Sequence, residues 1–334
     1  MSDNDTLMQF LEAGARRRAE RRRFMQLAGG ATLAVGLAGC GGGSSSATPT
    51  PTPTPTPTVT STVAVDSDYL NFALNFEYLE AQYYLRATTG SGIEAIPAST
   101  SVPGGGTALL TGVGTQGTVT GGSQVTFSST LIGEYAREIA SAELAHVAYL
   151  RSMIGAAASS AQPAIDLSTG AGSGFAGLAA RAGIAGFNPY SSDQSFLLGA
   201  FLLEDVIVTA YRGLLPLLSN ALYVNAVAGI LATESYHAAL IRSQLYAMGS
   251  GAQTAAGQFS DARDSLDGPS DDDQGIAGTA TVANIVPADA NGIVYARTTG
   301  QVLNIFYNNN AAVALGGFFP AGINNNFLAT SAAN

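Results

Sequence analysis

The chain contains two histidines, and each stands three residues after a glutamate: Glu143-Leu-Ala-His146 and Glu234-Ser-Tyr-His237. On an α-helix, residues three apart share a face, so each pair presents a carboxylate and an imidazole to one point. Ten of the 334 residues are Glu. Chance therefore puts a Glu three residues before a given His about 3% of the time, and before both on the order of once in a thousand. Two Glu-x-x-His helices, joined by a lone Glu from each of two further helices, form the ligand arrangement of a dinuclear site inside a four-helix bundle. The spacing therefore constrains the fold to an all-α bundle and directs attention to its other two helices.

Helical periodicity supplies four candidates. Residues 66–87 carry Tyr69, Leu70, Ala73, Leu74, Phe76, Leu79 and Tyr84 at helical spacing, with Asp66 or Ser67 as cap. Ser128-Ser129-Thr130 precede a second helix over 131–153, and Ser191-Ser192-Asp193 a third over 194–214, which Pro216 stops. Ser219 or Asn220 opens the fourth, 221–248, which ends at Gly249. The third and fourth are closely linked and should be antiparallel neighbours. Residues 88–127 lack helical period and read as a long loop with room for short strands. Residues 155–191 read as a crossover along the bundle, with a short helix near 175–181. Beyond Gly249, residues 250–290 read as a solvated acidic loop around Asp264, Asp267 and Asp271-Asp272-Asp273; the spacing does not match a calcium-binding EF-hand. Residues 302–307 read as a short helix on the bundle, within a tail that runs to 334.

An internal repeat selects the ligands. Residues 143–152 and 234–243 agree at five of ten positions: Glu, His, Ala148/Ala239, Arg151/Arg242 and Ser152/Ser243. If the second and fourth helices repeat, so should the first and third. The third offers Glu204, with Tyr211 seven residues on. The first offers Glu77 and Glu80, and only Glu77 has a tyrosine, Tyr84, at that distance. Seven residues is close to two turns, so each Glu and its Tyr share a face. The expected ligand set is Glu77, Glu143, His146, Glu204, Glu234 and His237. Glu80, one turn on, is expected to support the ligands or to offer an alternative bridge. Tyr84 and Tyr211 are expected either to hydrogen-bond ligating carboxylates or carry an electron, or to be core residues with a satisfied hydroxyl.

This donor set suits two Fe or Mn ions and not copper(I). Each histidine is expected to coordinate through one nitrogen and donate from the other to a neighbouring acceptor. The competing arrangement is metal-free, with Arg137, Arg151, Arg212 and Arg242 as partners of the acids. The residues around Glu204 (Phe201, Leu202, Leu203, Val206, Ile207, Val208) are apolar on every side, so that acid is buried and needs a partner.

The first forty residues describe a destination. Arg-rich residues 16–23, an apolar run of 13 residues from Leu27 to Gly39 and then Cys40 form a basic region, an apolar region too short to span a bilayer and a processing site. Arg21-Arg22-Arg23-Phe24-Met25 resembles a twin-arginine export signal, and Leu37-Ala38-Gly39-Cys40 a lipobox with Cys40 as the lipidated residue. Cys40 is the one cysteine, so no disulfide forms within the chain. Gly/Ser and Thr-Pro residues 41–63 read as an extended tether. The expected product is an exported protein of the cell envelope or periplasm, held to a membrane through Cys40. There is no Lys, and without residues 1–39 the chain keeps eight basic and twenty acidic groups, a formal net of −12. That charge argues against nucleic acid as a partner.

Together, Leu74-Asn-Phe-Glu-Tyr-Leu-Glu-Ala-Gln-Tyr-Tyr84, the two Glu-x-x-His pairs, Leu203-Glu-Asp-Val-Ile-Val-Thr-Ala-Tyr211 and, more weakly, Arg297-Thr-Thr-Gly-Gln-Val-Leu-Asn-Ile-Phe-Tyr307 resemble the ferritin-like superfamily. Within it they are most similar to secreted bacterial ferritin-like domain proteins, themselves similar to plant desiccation-related proteins. The resemblance implies an antiparallel four-helix bundle over 64–249 with a dinuclear iron or manganese site. The loops, tether and tail depart from cage-forming ferritins. No Cys-x-x-Cys pair is present, so a rubrerythrin-type peroxidase would need an external electron donor. Two readings follow. One is a lipid-anchored di-metal protein that reacts with peroxide or dioxygen, with ferroxidase and catalase-like variants. The other is a non-catalytic, stress- or desiccation-type envelope protein with a metal-free bundle. A homo-oligomer is compatible with either.

Overall fold

This computed structural model describes residues 64–99, 102, 104–325 and 327–334, and among them eight α-helices and two short strands follow one another. They are α1 (Asp66–Thr89), α2 (Gly105–Leu110), β1 (Val119–Gly121), α3 (Thr130–Ile154), β2 (Ile165–Leu167), α4 (Gly174–Arg181), α5 (Asp193–Leu214), α6 (Ala221–Ala247), α7 (Ser250–Asp267) and α8 (Thr299–Phe306). The basic signal, Cys40 and the Thr-Pro tether lie outside the described residues.

Side-chain caps set most of the helix starts. Ser129 Oγ accepts from Ile132 N–H at 3.4 Å, Ser192 Oγ from Ser195 N–H at 3.1 Å, and Asn220 Oδ1 from Leu222 N–H at 2.9 Å. Each satisfies a backbone donor that the helix leaves free and contributes about 1 kcal/mol. At α1 the cap is neither Asp66 nor Ser67. Val65 N–H donates to Asp68 Oδ2 at 2.8 Å. Asp66 instead accepts from the N–H groups of Ser219 and Asn220, at 3.1 and 2.7 Å, tying the start of α1 to the α5–α6 turn.

These ties give the helix directions. The end of α1 meets the segment before α3, where Val125 N–H donates to Ala87 O, and the start of α1 meets the segment after α3, where Asn71 donates to Ala158 O. Hence α1 and α3 are antiparallel. Tyr83 near the end of α1 bonds Phe196 near the start of α5, and Asp66 bonds Ser219 beyond its end, so α1 and α5 are antiparallel too. Asp193 at the head of α5 accepts from Ser128 and Ser129 at the head of α3, which makes those two parallel. The result is an antiparallel bundle of α1, α3, α5 and α6 with a crossover between its second and third helices. Tight pairing runs α1 along α3 and α5 along α6, whereas α3 and α6 meet only sparsely.

The two long connections are joined by β1 and β2, a short parallel pair with Val119 opposite Ile165. Residues 250–267 correct the sequence reading: they form α7 and not an acidic loop. Ala252, Ala256, Phe259, Ala262 and Leu266 lie at helical spacing and are buried. Three of these five are alanines, which hide the apolar stripe among Gly, Ser and Asp. The tail closes over α1, where Phe76 stacks on Phe306 at 4.9 Å and meets Phe319 edge-on at 5.8 Å. Its approach to α5 requires glycine at Gly213, since a Cβ there would lie 2.0 Å from Arg297 O. Among the described residues no helix is long and apolar enough to cross a membrane.

Candidate metal centre

The four bundle helices bring all six expected ligands to the bundle interior. Glu77, Glu143, Glu204 and Glu234 are fully buried, and the two imidazoles keep only a trace of exposure. Ligand atoms form two overlapping groups, each within 4.8 Å: Glu77, Glu143, His146 and Glu234, and then Glu143, Glu204, Glu234 and His237. Glu143 and Glu234 belong to both. Glu143 turns Oε2 to His146 Nδ1 (3.4 Å) and Oε1 to His237 Nδ1 (2.9 Å). Glu234 turns Oε1 to His146 Nδ1 (2.9 Å) and Oε2 to His237 Nδ1 (3.4 Å). Glu77 Oε2 lies 3.3 Å from His146 Nδ1, and Glu204 Oε2 3.7 Å from His237 Nδ1. The internal repeat thus becomes a pseudo-twofold site with two shared and two terminal carboxylates.

The tyrosines exchange partners. Tyr84 on α1 donates to Glu204 Oε1 on α5 at 2.5 Å, and Tyr211 on α5 donates to Glu77 Oε1 on α1. Burial and the adjacent carboxylate raise both phenols well above their ordinary range, so both stay protonated donors.

Glu80 is fully buried, belongs to neither ligand group, and has no hydrogen-bond partner on either oxygen. The position matching it in α5 is Ile207, so Glu80 breaks the twofold pattern. Burial, and then Glu204, Glu234, Glu143 and Glu77, hold it well above the carboxylate range. Burial raises Glu77 to about 8 against the pull of His146, and raises Glu204 against the pull of His237. At Glu234 the two imidazoles overcome burial and lower it. Burial alone would lower both imidazoles. The carboxylates reverse this, led by Glu77 at His146 and by Glu204 at His237, and both end well above the ordinary histidine value.

The arginine-partnered alternative does not form. No ion pair among the described residues joins an arginine to a cluster carboxylate. Arg151 instead donates to Tyr78 Oη and Ser160 O, and Arg242 to Asp205 Oδ2 and loop carbonyls. Tyr78 and Asp205 each follow a terminal carboxylate, so the repeat extends to what its arginines bind. The expected second acceptors for the histidines are also missing: Nε2 of neither ring hydrogen-bonds to a described residue. Nδ1 faces inward to the carboxylates, which turns Nε2 outward.

Glu77 Oε2, both oxygens of Glu143 and Glu234, Glu204 Oε2 and both Nδ1 atoms are buried without a hydrogen-bond partner. Burying an ion costs several kcal/mol unless it is compensated. Two divalent cations would match the charge of these four carboxylates once ionised, with the imidazoles as neutral donors and Glu80 kept protonated. The groups fit metal ions.

A second buried network was not anticipated. Arg263 donates to Asp205, Asp273 and Phe201 O, and Arg297 to Asp267 Oδ2 (2.6 Å), Asp273 Oδ2 (3.0 Å) and Thr209 Oγ1 (2.9 Å). Phe201 lies under the guanidiniums of Arg263 and Arg242 at 4.4 and 5.4 Å. Asp267 and Asp273, expected in a solvated loop, are buried ion-pair partners. This network anchors Asp205, the neighbour of Glu204.

A family model described as "Ferritin-like domain" matches residues 65–247. The chain is 27% identical over 278 residues to a protein named ferritin-like catalase Nec2, from Nesocodon mauritianus, covering 78% of this chain and 83% of that one. It is 29% identical over 182 residues to desiccation-related protein PCC13-62, from Craterostigma plantagineum, covering 54% of this chain and 53% of that one. No solved structure matches significantly. With its bundle, crossover and paired Glu-x-x-His helices, the chain belongs to the ferritin-like domain family.

Proposed function

We propose that this protein holds two iron or manganese ions and disproportionates hydrogen peroxide. The observation that carries this reading is the sharing of Glu143 and Glu234, each with one oxygen toward each imidazole. Glu77, Glu143, His146 and Glu234 would hold one ion, and Glu143, Glu204, Glu234 and His237 the other. Such a pair supplies two-electron redox cycling, which turns two peroxides into two waters and one dioxygen without an external reductant. The chain's own groups manage protons. Tyr84 and Tyr211 keep theirs and donate them in hydrogen bonds to Glu204 and Glu77, and Glu80 stores one inside the bundle. The relative named as a catalase favours this reaction over Fe(II) oxidation or a peroxidase with an external donor. We further infer export by residues 1–39 and tethering to a membrane through Cys40, outside the cytoplasm.

The test is oxygen evolution from hydrogen peroxide by the purified chain loaded with Mn(II) or Fe(II), beside His146→Ala/His237→Ala. Evolution in the wild type and its loss in the variant is the expected result. A metal-loaded wild type that evolves no oxygen overturns the catalase reading. A wild type that binds no metal leaves a non-catalytic role, as the similarity to a desiccation-related protein would suggest.

A further inference from the structure

The bundle is least tightly packed where its imidazoles lie. The side chains of the four ligating glutamates have no exposed surface, whereas those of His146 and His237 keep 11% and 9%. Both histidines come from α3 and α6, the pair that meets sparsely. A cleft of about 550 Å³ lies between these two helices, and its lining includes Tyr135, Glu138, Ile139, Thr233, Tyr236 and His237. It is largely apolar and carries one acidic side chain, the exposed Glu138, which makes no hydrogen bond or ion pair among the described residues. Glu134, also exposed, lies one turn away on the same face of α3.

We propose that the α3–α6 cleft is the route by which divalent cations reach the centre, with Glu138 as the carboxylate that receives them before transfer to His237 and Glu143. This rests on the metal-site reading above. A solvated surface acid is the ordinary role for a residue such as Glu138. Its place in a cleft that the buried His237 also lines, without a cationic partner among the described residues, argues for more. A carboxylate in an apolar-walled cleft concentrates cations there and raises their rate of arrival. It has no such effect on a neutral molecule of peroxide size, which gains from the opening but not from the charge.

The experiment follows Co(II) uptake by metal-stripped protein through the visible absorbance of the bound ion, in stopped flow. Three variants are compared: Glu138→Gln, Ala239→Phe to fill the cleft, and Asp261→Asn, which removes the same charge from an exposed site on α7. The rate in Glu138→Gln should fall on the order of tenfold at low salt, with two ions still bound at the end point. Ala239→Phe should also slow uptake, and Asp261→Asn should leave it unchanged. Glu138→Gln loading at the wild-type rate to two ions overturns the route while the site stands. No Co(II) uptake by the wild type overturns the site and the route with it.

Discussion

Tyr84 on α1 donates its hydroxyl to Glu204 on α5, across the bundle, and not to Glu77 on its own helix. Tyr211 returns the relationship to Glu77. Residues seven apart on one helix are about 10 Å apart along its axis, too far to bond each other. Antiparallel packing puts each tyrosine beside the other helix's carboxylate. Tyr84→Phe should therefore perturb the Glu204/His237 group, and Tyr211→Phe the Glu77/His146 group. Each leaves a buried carboxylate oxygen without its donor, at a cost of about 1–3 kcal/mol. Thermal denaturation of Tyr84→Phe, Glu204→Gln and the double variant checks the pairing: the two changes should couple, whereas Tyr84→Phe with Glu77→Gln should be closer to additive.

The metal-free chain should lose stability as pH rises. Glu77 titrates at about 8 in the fold against an ordinary 4.5, so its stabilising effect is fully present below 4.5 and is lost as pH climbs toward 8. Both imidazoles are raised as well, so the stability from their charged forms is present below the ordinary histidine value and lost through their higher folded values. The contributions have the same sign. Melting temperature of the stripped protein should decline from about pH 5 to about pH 8, and the gain on adding Mn(II) should grow over that range as metal displaces protons. A stripped protein that becomes more stable over that range contradicts the proton distribution described.

Glu80 stands where the repeat places Ile207, with both oxygens buried and unpartnered. Replacing it by a similar-sized apolar side chain removes an uncompensated polar group. Glu80→Met should stabilise the metal-free chain by about 1–3 kcal/mol in urea denaturation. A loss of similar size would mean that Glu80 is engaged by a partner in the bundle.

Arg263 joins Asp205 to Asp273 without exposure to solvent. Arg263→Met leaves both acids short of a buried cation, at a cost of about 3–5 kcal/mol. Arg297→Met should cost a similar amount, and the pair should be less than additive because both arginines bind Asp273. Chemical denaturation of the single and double variants measures this.

The bundle and the six Glu and His residues gathered in its interior are legible because helical spacing and the Glu-x-x-His repeat are local properties of the chain. Glu77 was selected over Glu80 by matching Tyr84 to Tyr211, although the tyrosines bond across helices. Other features depend on distant partners. Asp267 and Asp273 looked solvated because Arg297, which buries them, lies 24 or more residues away. The helix at 250–267 is inconspicuous in the sequence because its apolar stripe is largely alanine. One signal was present and unused: extending the repeat by one residue past Glu77 and Glu204 gives Tyr78 and Asp205, the partners of Arg151 and Arg242.

In the function proposed above, two metal ions bind between His146 and His237 and share Glu143 and Glu234. Metal analysis of the purified chain beside His146→Ala/His237→Ala, with melting temperature measured on adding Mn(II) or Fe(II), decides whether they bind. About two ions per wild-type chain, a raised melting temperature on loading, and loss of both in the variant are expected. A metal-free wild type whose melting temperature does not move with either ion would contradict that binding.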